Sequence, residues 1–255
     1  MARGVSVVVG VGGDGTMRDI ATVLADTDVP LGIVPAGTGN QIAAVLGIPG
    51  SIDGAAAELA TGLGRTIDLG RVTVRPSDGP EQASTFVIGC GAGLDAHLMA
   101  TTPSGLKRRL GKAAYLAQAV RLGLSIRAVP TRISVDDDVH EVESSIAVVG
   151  NMGQLIPGMI DLRTPIDPTD GLLDVIVVAA HGPLHGLKGL VDQLWRTELG
   201  GHSGSESMRL RGHRIDIEPE RPEPLEIDGD HVGEGSLSAR VMPAALDVIV
   251  PAGSG

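Results

Sequence analysis

A glycine-rich segment near the start of the chain, Gly12-Gly13-Asp14-Gly15-Thr16, holds residues that could do chemistry. It follows an apolar run at residues 5–11 that predicts a buried strand, and it precedes a helical spacing of apolar residues at 17–25. Glycines at such a junction let backbone N–H groups approach a phosphate, and the helix N-terminus favours negative charge. The Asp14 carboxylate suits a Mg²⁺ ion, or a hydroxyl that must lose its proton. A plain tight turn with Asp14 as a helix cap is the alternative.

A second glycine-rich segment, Pro35-Ala36-Gly37-Thr38-Gly39-Asn40, follows another short predicted strand at residues 30–34. Two parallel strands end at the same edge of a sheet, where open α/β folds bind ligands. Thr38 and Asn40 could hydrogen-bond phosphate or ribose. On its own this segment indicates no more than a turn, but together with the first it predicts a nucleotide site. We call residues 12–16 the first glycine loop and residues 35–40 the second glycine loop.

The two loops resemble the catalytic domain shared by bacterial diacylglycerol kinases, YegS-like lipid kinases and sphingosine kinases, whose signature is GGDGT followed by P-x-GT-x-N. Asp19 stands where the family usually has Glu, and Gln41 stands where many members have Asp. The resemblance implies ATP as the phosphoryl donor and Mg²⁺ as its companion. It implies ATP-binding roles for Gly12, Gly13, Asp14, Gly15, Thr16, Met17, Arg18, Thr38 and Asn40.

The resemblance continues in two later segments. Residues 91–96, Gly-Ala-Gly-Leu-Asp-Ala, are similar to the family's G-x-G-[FL]-D-A, although Asp95 by itself would indicate only a turn cap. Residues 111–115, ending in Tyr115, are similar to its G-x-x-x-Y. The basic residues Lys107, Arg108, Arg109 and Lys112 could touch lipid head groups or ATP phosphates, and a solvated helix face is the equally good alternative.

An acidic segment, Asp167-Pro168-Thr169-Asp170-Gly171-Leu172-Leu173-Asp174, offers oxygen ligands of the kind that hard cations prefer. From its spacing alone, a polar turn that leads into a strand is favoured. The resemblance implies instead a structural Mg²⁺ held by Asp167, Asp170 and the carbonyl of Leu172. We call residues 167–174 the acidic loop.

A second acidic turn, Asp228-Gly229-Asp230, is similar to the family's DGE segment, whose last acid is taken as the general base. The matching residue is Asp230, one methylene shorter than Glu, so we predict Asp230 and Asp14 as catalytic residues. A base must come within about 3 Å of the proton it takes. The alternative is a simple hairpin turn, for which Asp-Gly is well suited. We call residues 228–230 the Asp-Gly-Asp turn.

The elements that must position these residues fall into two groups. Residues 1–66 are predicted as an α/β nucleotide domain with a parallel sheet, similar to NAD kinases and diacylglycerol kinases, in which Ser51 caps a helix at 52–61. Residues 67–255 are predicted from their strand pattern as a mainly antiparallel β-sandwich or barrel. The resemblance favours the β-sandwich and implies that this domain binds the lipid. This second domain has strands at 131–135, 139–142, 146–149, 173–178, 215–217 and 246–250, helices at 106–124 and 184–195, and loops at 201–207 and 218–224.

The amino-acid composition restricts the classes of partner that the protein could bind. The net charge of -11 and the presence of only three aromatic residues disfavour nucleic-acid binding. A single cysteine, Cys90, fits a reducing cytosol, and no apolar run reaches the length of a membrane span. We therefore expect a cytoplasmic protein that visits the inner membrane surface to reach its lipid substrate.

Three functions stay open at this point. The first is an ATP-dependent lipid kinase acting on diacylglycerol or a related lipid. The second is a soluble NAD kinase, which shares GGDGT. The third is a paralogue that binds nucleotide or lipid without transfer, because only eleven residues precede Gly12, fewer than family members usually carry there. A fragment, a misplaced start, a homodimer and a loss of activity are alternative explanations of that short beginning.

Overall fold

A computed structural model describes residues 4–93, 128–153, 166–179 and 206–252. Within these residues the helices are α1 (Asp14–Leu24), α2 (Gln41–Val45) and α3 (Ile52–Thr61). The strands are β1 (Val8–Gly12), β2 (Leu31–Pro35), β3 (Leu63–Pro76), β4 (Gln82–Phe86), β5 (Gly89–Ala92), β6 (Val129–Val135), β7 (Asp138–Ser144), β8 (Ile146–Gly150), β9 (Leu173–Ala179), β10 (Glu206–Gly212), β11 (Arg214–Pro219), β12 (Glu223–Ile227) and β13 (Asp230–Val250).

The first part of the chain forms the predicted strand–helix alternation. Strand β1 pairs in parallel with β2, with Val8 opposite Leu31. Helix α1 buries Met17, Ala21 and Leu24 because these residues recur at helical spacing on one face. The predicted cap of α3 is confirmed, since the Ser51 hydroxyl accepts the Gly54 N–H at 3.2 Å. Both glycine loops thus follow directly on strands of one parallel pair.

The predicted parallel sheet is only partly confirmed. In the part of the chain that the structure describes, parallel pairing is limited to β1 with β2 and to one position of β13, where Val248 lies opposite Leu31. Strand β13 instead runs antiparallel to β3 from Gly235 to Val250, so the nucleotide part joins one large, mostly antiparallel sheet that curls on itself. The division at residues 66 and 67 stays a prediction, although β3 runs through it without interruption.

The antiparallel character predicted for the second part is confirmed. The strands follow the order β10-β9-β8-β5-β12-β13-β11-β6-β7. The described residues form two apolar clusters. The first lies under the three helices and includes Ile33 and Ile67, and the second lies inside the antiparallel part and includes Phe86 and Leu237. Strand β12 stands between β5 and β13, near the middle of the order, so the turn after it is anchored on both sides.

Several strands were not predicted from sequence, namely β3, β4, β5, β10, β12 and most of β13. The predicted loops at 201–207 and 218–224 are wrong where β10 starts at Glu206, where β11 extends to Pro219 and where β12 starts at Glu223. These strands carry charged residues, glycines or prolines that hide their alternation, and cross-strand pairing overrides that local signal. The predicted helices at 106–124 and 184–195 lie outside the described residues, as do Asp95, Tyr115 and the basic cluster.

Candidate active site

The two glycine loops lie against each other, backbone to backbone. Ala36 N–H donates to the Gly12 carbonyl at 2.8 Å. A Cβ built on Gly37 would overlap the Gly13 Cα, and one built on Gly13 would lie 3.2 Å from the Gly37 Cα. Glycine is therefore required at this crossing for close packing, in addition to any approach to phosphate.

Asp14 joins the first glycine loop to the helix that follows the second. Its Oδ1 accepts the Ile42 N–H at 2.9 Å, which satisfies one of the free N–H groups at the start of α2. Asp14 therefore serves as a cap, as the alternative interpretation had it, but of the neighbouring helix. Its second oxygen, Oδ2, faces Gly39.

Asn40 stabilises the second glycine loop from within. It adopts a left-handed backbone conformation with φ of 50°. Its side chain accepts the Gly37 N–H and donates to the Gly37 carbonyl, both at 2.8 Å. Its role as a phosphate or ribose ligand stays a prediction, and the structure shows a role in holding the loop. Thr38 is exposed, where a ligand could reach it.

In the first turns of α1, some residues lie at the candidate site and others lie in the core. Gly15 and Thr16 remain accessible, whereas the Met17 side chain is 2% exposed and packs beside Gly10. Met17 can therefore offer a nucleotide its backbone but not its side chain. Arg18 is the next residue of α1, and its side chain reaches the second half of the chain.

Arg18 contacts the Asp-Gly-Asp turn. Its Nη1 donates to the Ile227 carbonyl at 3.1 Å, and its Nη2 lies 2.9 Å from Asp230 Oδ2. The Arg18 side chain is 18% exposed and that of Asp230 is 63% exposed, so the pair lies at the rim of the site. The residue predicted to bind ATP and the residue predicted as the base are thus brought together by the fold.

The Asp-Gly-Asp turn closes a tight hairpin between β12 and β13. Ile227 pairs with Asp230, and the two residues between them have φ of 47° and 85°. Two positive φ values are the geometry in which Asn-Gly and Asp-Gly are preferred. The hairpin interpretation from sequence is therefore confirmed, and the turn also carries Asp230 to Arg18.

Asp228 anchors this turn to the rest of the sheet. Its carboxylate accepts the backbone N–H groups of Val87, Ile88 and Gly89 at 3.0, 2.9 and 3.0 Å. Burial raises the pKa of Asp228, and the three N–H groups and the nearby Arg18 guanidinium oppose that rise. Asp228 therefore positions the turn, while Asp230 remains accessible.

Glu226 is a second buried carboxylate beside the turn, and the sequence did not single it out. It is 5% exposed, and its Oε2 accepts the Gly229 N–H at 2.8 Å. Burial raises the pKa of Glu226 to about 7, and the charges of Asp228 and Asp230 add to the rise. Burial and the charges of Glu226 and Asp228 likewise raise the pKa of the Cys90 thiol. The residues next to Glu226 in the sequence give no indication of the strands that bury it, so its burial could not be predicted.

The acidic loop is held by protein groups. Asp167 Oδ1 accepts the N–H and the hydroxyl of Thr169 at 3.0 and 2.7 Å. Asp170 accepts the Leu172 N–H at 3.0 Å through Oδ1 and pairs with the Arg211 guanidinium through Oδ2. The Asp170 hydrogen bond raises the pKa of Arg211 above its usual range.

Buried groups behind the acidic loop complete this arrangement. Asp68, which is 2% exposed, accepts the N–H groups of Gly171 and Ala244 at 2.7 Å each. Arg209 and Arg211 lie 2.6 and 3.2 Å from the fully buried Asp174. Asp68 was missed from sequence because a lone Asp between two apolar residues gives no indication of its partners.

The donors of the acidic loop have the right chemistry for Mg²⁺, and protein groups engage both carboxylates in this structure. Arg211 already balances the charge of Asp170, and Asp167 is engaged by Thr169. Across residues 4–93, 128–153, 166–179 and 206–252, no group of three or more His, Cys, Asp or Glu side chains is placed to hold a metal, but the predicted set has only two carboxylates and a backbone carbonyl. The metal-binding role of Asp167, Asp170 and Leu172 therefore stays a prediction.

Comparison with known proteins gives the family. Residues 1–72 match the model of the diacylglycerol kinase catalytic domain, and residues 89–250 match the model of the YegS C-terminal NAD kinase beta sandwich-like domain. A Pseudomonas aeruginosa protein named "Probable lipid kinase YegS-like" is 34% identical over 259 residues, covering 100% of this chain and 80% of its own length. An uncharacterized Synechocystis protein is 28% identical over 98% of this chain and 56% of its own length.

Solved structures agree on the fold. A diacylglycerol kinase from Bacillus anthracis superposes with a TM-score of 0.68 at 21% identity, over 98% of this chain and 78% of that chain. Yeast NADH kinase superposes with a TM-score of 0.53 at 10% identity, over 97% of this chain and 62% of that chain. At these identities the likeness concerns the fold alone, and the family assignment rests on the sequence matches. The chain belongs to the family of diacylglycerol kinases and YegS-like lipid kinases.

Proposed function

We propose that the protein transfers the γ-phosphoryl group of Mg²⁺-bound ATP to a hydroxyl of diacylglycerol or a related lipid. The observation that carries the proposal is the ion pair between Arg18 and Asp230, which joins the helix of the first glycine loop to the Asp-Gly-Asp turn. Phosphoryl transfer depends mainly on positioning and charge neutralisation, so donor and acceptor groups must meet at one place. Family membership supports this assignment of chemistry.

The nucleotide would lie over the two glycine loops. Gly12, Gly13, Gly15, Thr16 and Thr38 would hold its phosphates, through backbone N–H groups and hydroxyls near the N-terminus of α1. Asp14 Oδ1 is already used by Ile42, so the free lone pairs of its Oδ2 would orient the waters of the Mg²⁺ that comes with ATP. The Arg18 guanidinium would stabilise charge that develops on the transferred group.

The acceptor would enter from the side of the Asp-Gly-Asp turn. Asp230 is 63% exposed and is free to take a proton from the lipid hydroxyl once substrate displaces its contact with Arg18. The proton passes to the Asp230 carboxylate, the hydroxyl oxygen bonds to the γ-phosphorus, and ADP leaves with the bond electrons. Asp230 is thus the proposed catalytic base.

The lipid substrate places the reaction at a membrane surface. Among the described residues, no helix has the length and apolarity needed to cross a bilayer. We propose that the protein is cytoplasmic and binds the inner membrane surface peripherally.

The test is transfer of radiolabel from ATP to lipid in mixed micelles. We expect label in diacylglycerol, and we expect Asp230→Asn to lose turnover by at least about 100-fold while still binding ATP. A parallel coupled assay offers NAD as acceptor. Label on NAD would identify an NAD kinase, and nucleotide-induced thermal stabilisation with neither product would identify a binding paralogue without turnover. A family member that labels lipid in the same assay is the control.

A further inference from the structure

Glu226 lies beside the proposed base but takes no part in the steps described above. Its carboxylate is 5% exposed on β12, a strand paired with β5 on one side and β13 on the other. Its Oε2 accepts the N–H of Gly229, the middle residue of the Asp-Gly-Asp turn, at 2.8 Å. A buried carboxylate on a paired strand is a rigid acceptor, because the strand fixes its backbone.

We propose that Glu226 is a positioning residue for phosphoryl transfer, whose carboxylate fixes the turn from which Asp230 emerges. Gly229 has φ of 85° and, without a side chain, wide conformational freedom. The hydrogen bond to Glu226 fixes the peptide between Asp228 and Gly229, and this in turn fixes the direction in which the chain reaches Asp230. The inference rests on the proposed function for its effect on the reaction, but not for its effect on the turn.

Several charged and titratable groups surround this carboxylate. Asp228 and Asp230 come from the turn itself, and Cys90 lies nearby on β5, opposite Ile227. His231 is its register partner on β13, and Arg18 approaches from α1 by way of Asp230 and the Ile227 carbonyl. Burial is the largest cause that raises the pKa of Glu226 to about 7, while the Gly229 N–H opposes the rise. The residue therefore changes charge near neutral pH.

The charge on Glu226 governs how firmly the turn is held. A hydrogen bond to an ionised carboxylate is about twice as strong as one to a neutral acceptor. Above pH 7 the ionised Glu226 holds the Gly229 N–H tightly, and below it the protonated group holds it less tightly. Turnover should therefore rise with pH through about 7, at a pH where exposed carboxylates are already ionised.

The first experiment measures kcat and KM for ATP between about pH 5 and about pH 9 in the wild type and in Glu226→Gln. Glutamine keeps the shape and an acceptor oxygen but never ionises. We expect the rise near pH 7 to disappear, kcat at the alkaline end to fall about 3- to 10-fold, and KM for ATP to change less than about 2-fold. Glu223→Gln is the matched control, because Glu223 lies on the same strand but pairs with Arg221 at the surface.

The second experiment does not depend on activity. Backbone amide NMR of the wild type is followed over the same pH range, with carboxyl-labelled glutamate reporting Glu226. We expect the Gly229 and Asp230 amides to shift with the midpoint of Glu226, near pH 7, and we expect both transitions to vanish in Glu226→Gln but persist in Glu223→Gln. Asp230 lies beyond the hydrogen bond, so its response reports transmission through the turn.

The outcomes separate the two proposals. If the Asp230 amide shows no transition with Glu226, or if Glu226→Gln keeps the kinetic rise near pH 7, the positioning role is overturned. If no lipid is labelled, the proposed function is lost, and the NMR titration still decides whether Glu226 controls the turn. The wild-type titration needs no variant, so it tests the positioning role even if Glu226→Gln fails to fold.

Discussion

The guanidinium of Arg18 lies 2.9 Å from the carboxylate of Asp230, and through this contact the helix of the first glycine loop meets the turn that closes β12 and β13. The pair links the two ends of the sequence. One residue comes directly after GGDGT and Met17, and the other begins the last strand. The relationship makes the proposed nucleotide and acceptor sides of the reaction neighbours.

Removing Arg18 should affect turnover more than folding. Arg18→Met loses the contact with Asp230 and the hydrogen bond to the Ile227 carbonyl. We expect kcat to fall about 10- to 100-fold with ATP affinity changed less, because positioning and charge stabilisation are lost together. Steady-state lipid phosphorylation and ATP titration measure the two effects. Arg221→Met, which breaks a surface pair with Glu223, is the control, and wild-type turnover in Arg18→Met would contradict the assignment.

The two aspartates of the Asp-Gly-Asp turn should have different roles, Asp228 in stability and Asp230 in phosphoryl transfer. Asp228→Ala leaves three backbone N–H groups without their acceptor, so we expect a loss of about 3 kcal/mol in the free energy of unfolding. Asp230→Ala, with a side chain 63% exposed, should cost less than about 1 kcal/mol but abolish transfer. Urea unfolding and the lipid assay distinguish them. Equal stability losses in the two variants would refute this division of roles.

Substitutions in the two glycine loops can distinguish a glycine that is needed for packing from a glycine that contacts the nucleotide. Gly37→Ala places a Cβ onto the Gly13 Cα and should destabilise the protein by about 1–3 kcal/mol. Gly15→Ala meets no atom within 4 Å and lies inside α1, so it should not lower stability. If Gly15 lies against phosphate, that variant should instead weaken ATP binding. Thermal unfolding with and without ATP measures both, and a wild-type melting temperature for Gly37→Ala would contradict the crossing.

The acidic loop should be stable without a metal. Because Arg211 already pairs with Asp170 and with the buried Asp174, we expect neither EDTA nor Mg²⁺ to change the melting temperature of the nucleotide-free protein. Arg211→Met should cost about 2 kcal/mol, and added Mg²⁺ should then raise the melting temperature. Arg132→Met, at an exposed pair with Glu141, is the control. A drop in the wild-type melting temperature with EDTA would contradict this expectation and support the metal site predicted from sequence.

Stability should fall as pH rises towards neutrality because of Glu226. Its pKa is raised from 4.5 to about 7, so the folded state binds a proton that the unfolded state has lost between these values. Below pH 4.5 the raised pKa of Glu226 contributes fully to the free energy of unfolding. This contribution, about 3 kcal/mol in all, is lost as pH rises through about 7. Urea unfolding across this range should show a flatter profile in Glu226→Gln than in the wild type. An unchanged profile would show that Glu226 titrates normally.

The sequence predicted local features well where one segment carries its own signal. The glycine loops, the Ser51 cap and the Asp-Gly hairpin each depend on neighbouring residues, and the structure confirms their local geometry. Asp14 shows the limit of this reasoning. A helix-capping role for Asp14 was one interpretation of the sequence, but the N–H group that its carboxylate accepts belongs to Ile42 in another helix.

Partners distant in sequence could not be predicted in the same way. The sequence around Arg18 does not predict its ion pair with Asp230. The sequence around Asp68 does not predict its hydrogen bonds with Gly171 and Ala244. Glu226 is buried because β12 pairs on both sides, and its own segment gives no indication of those pairings. Burial and long-range contacts depend on which strands become neighbours, and a single segment does not contain that information.

By itself, the sequence determined the family, the two glycine loops, the acidic turns and the mainly antiparallel second half. These follow from residue types at short spacing, since backbone conformation and helix capping are local. Only the tertiary structure decided that Arg18 meets Asp230, that Asp228 and Glu226 hold the turn between them, and that Arg211 balances Asp170. The physical reason is that hydrogen bonds and ion pairs form between groups close in space, and the strand order of the sheet sets which groups those are.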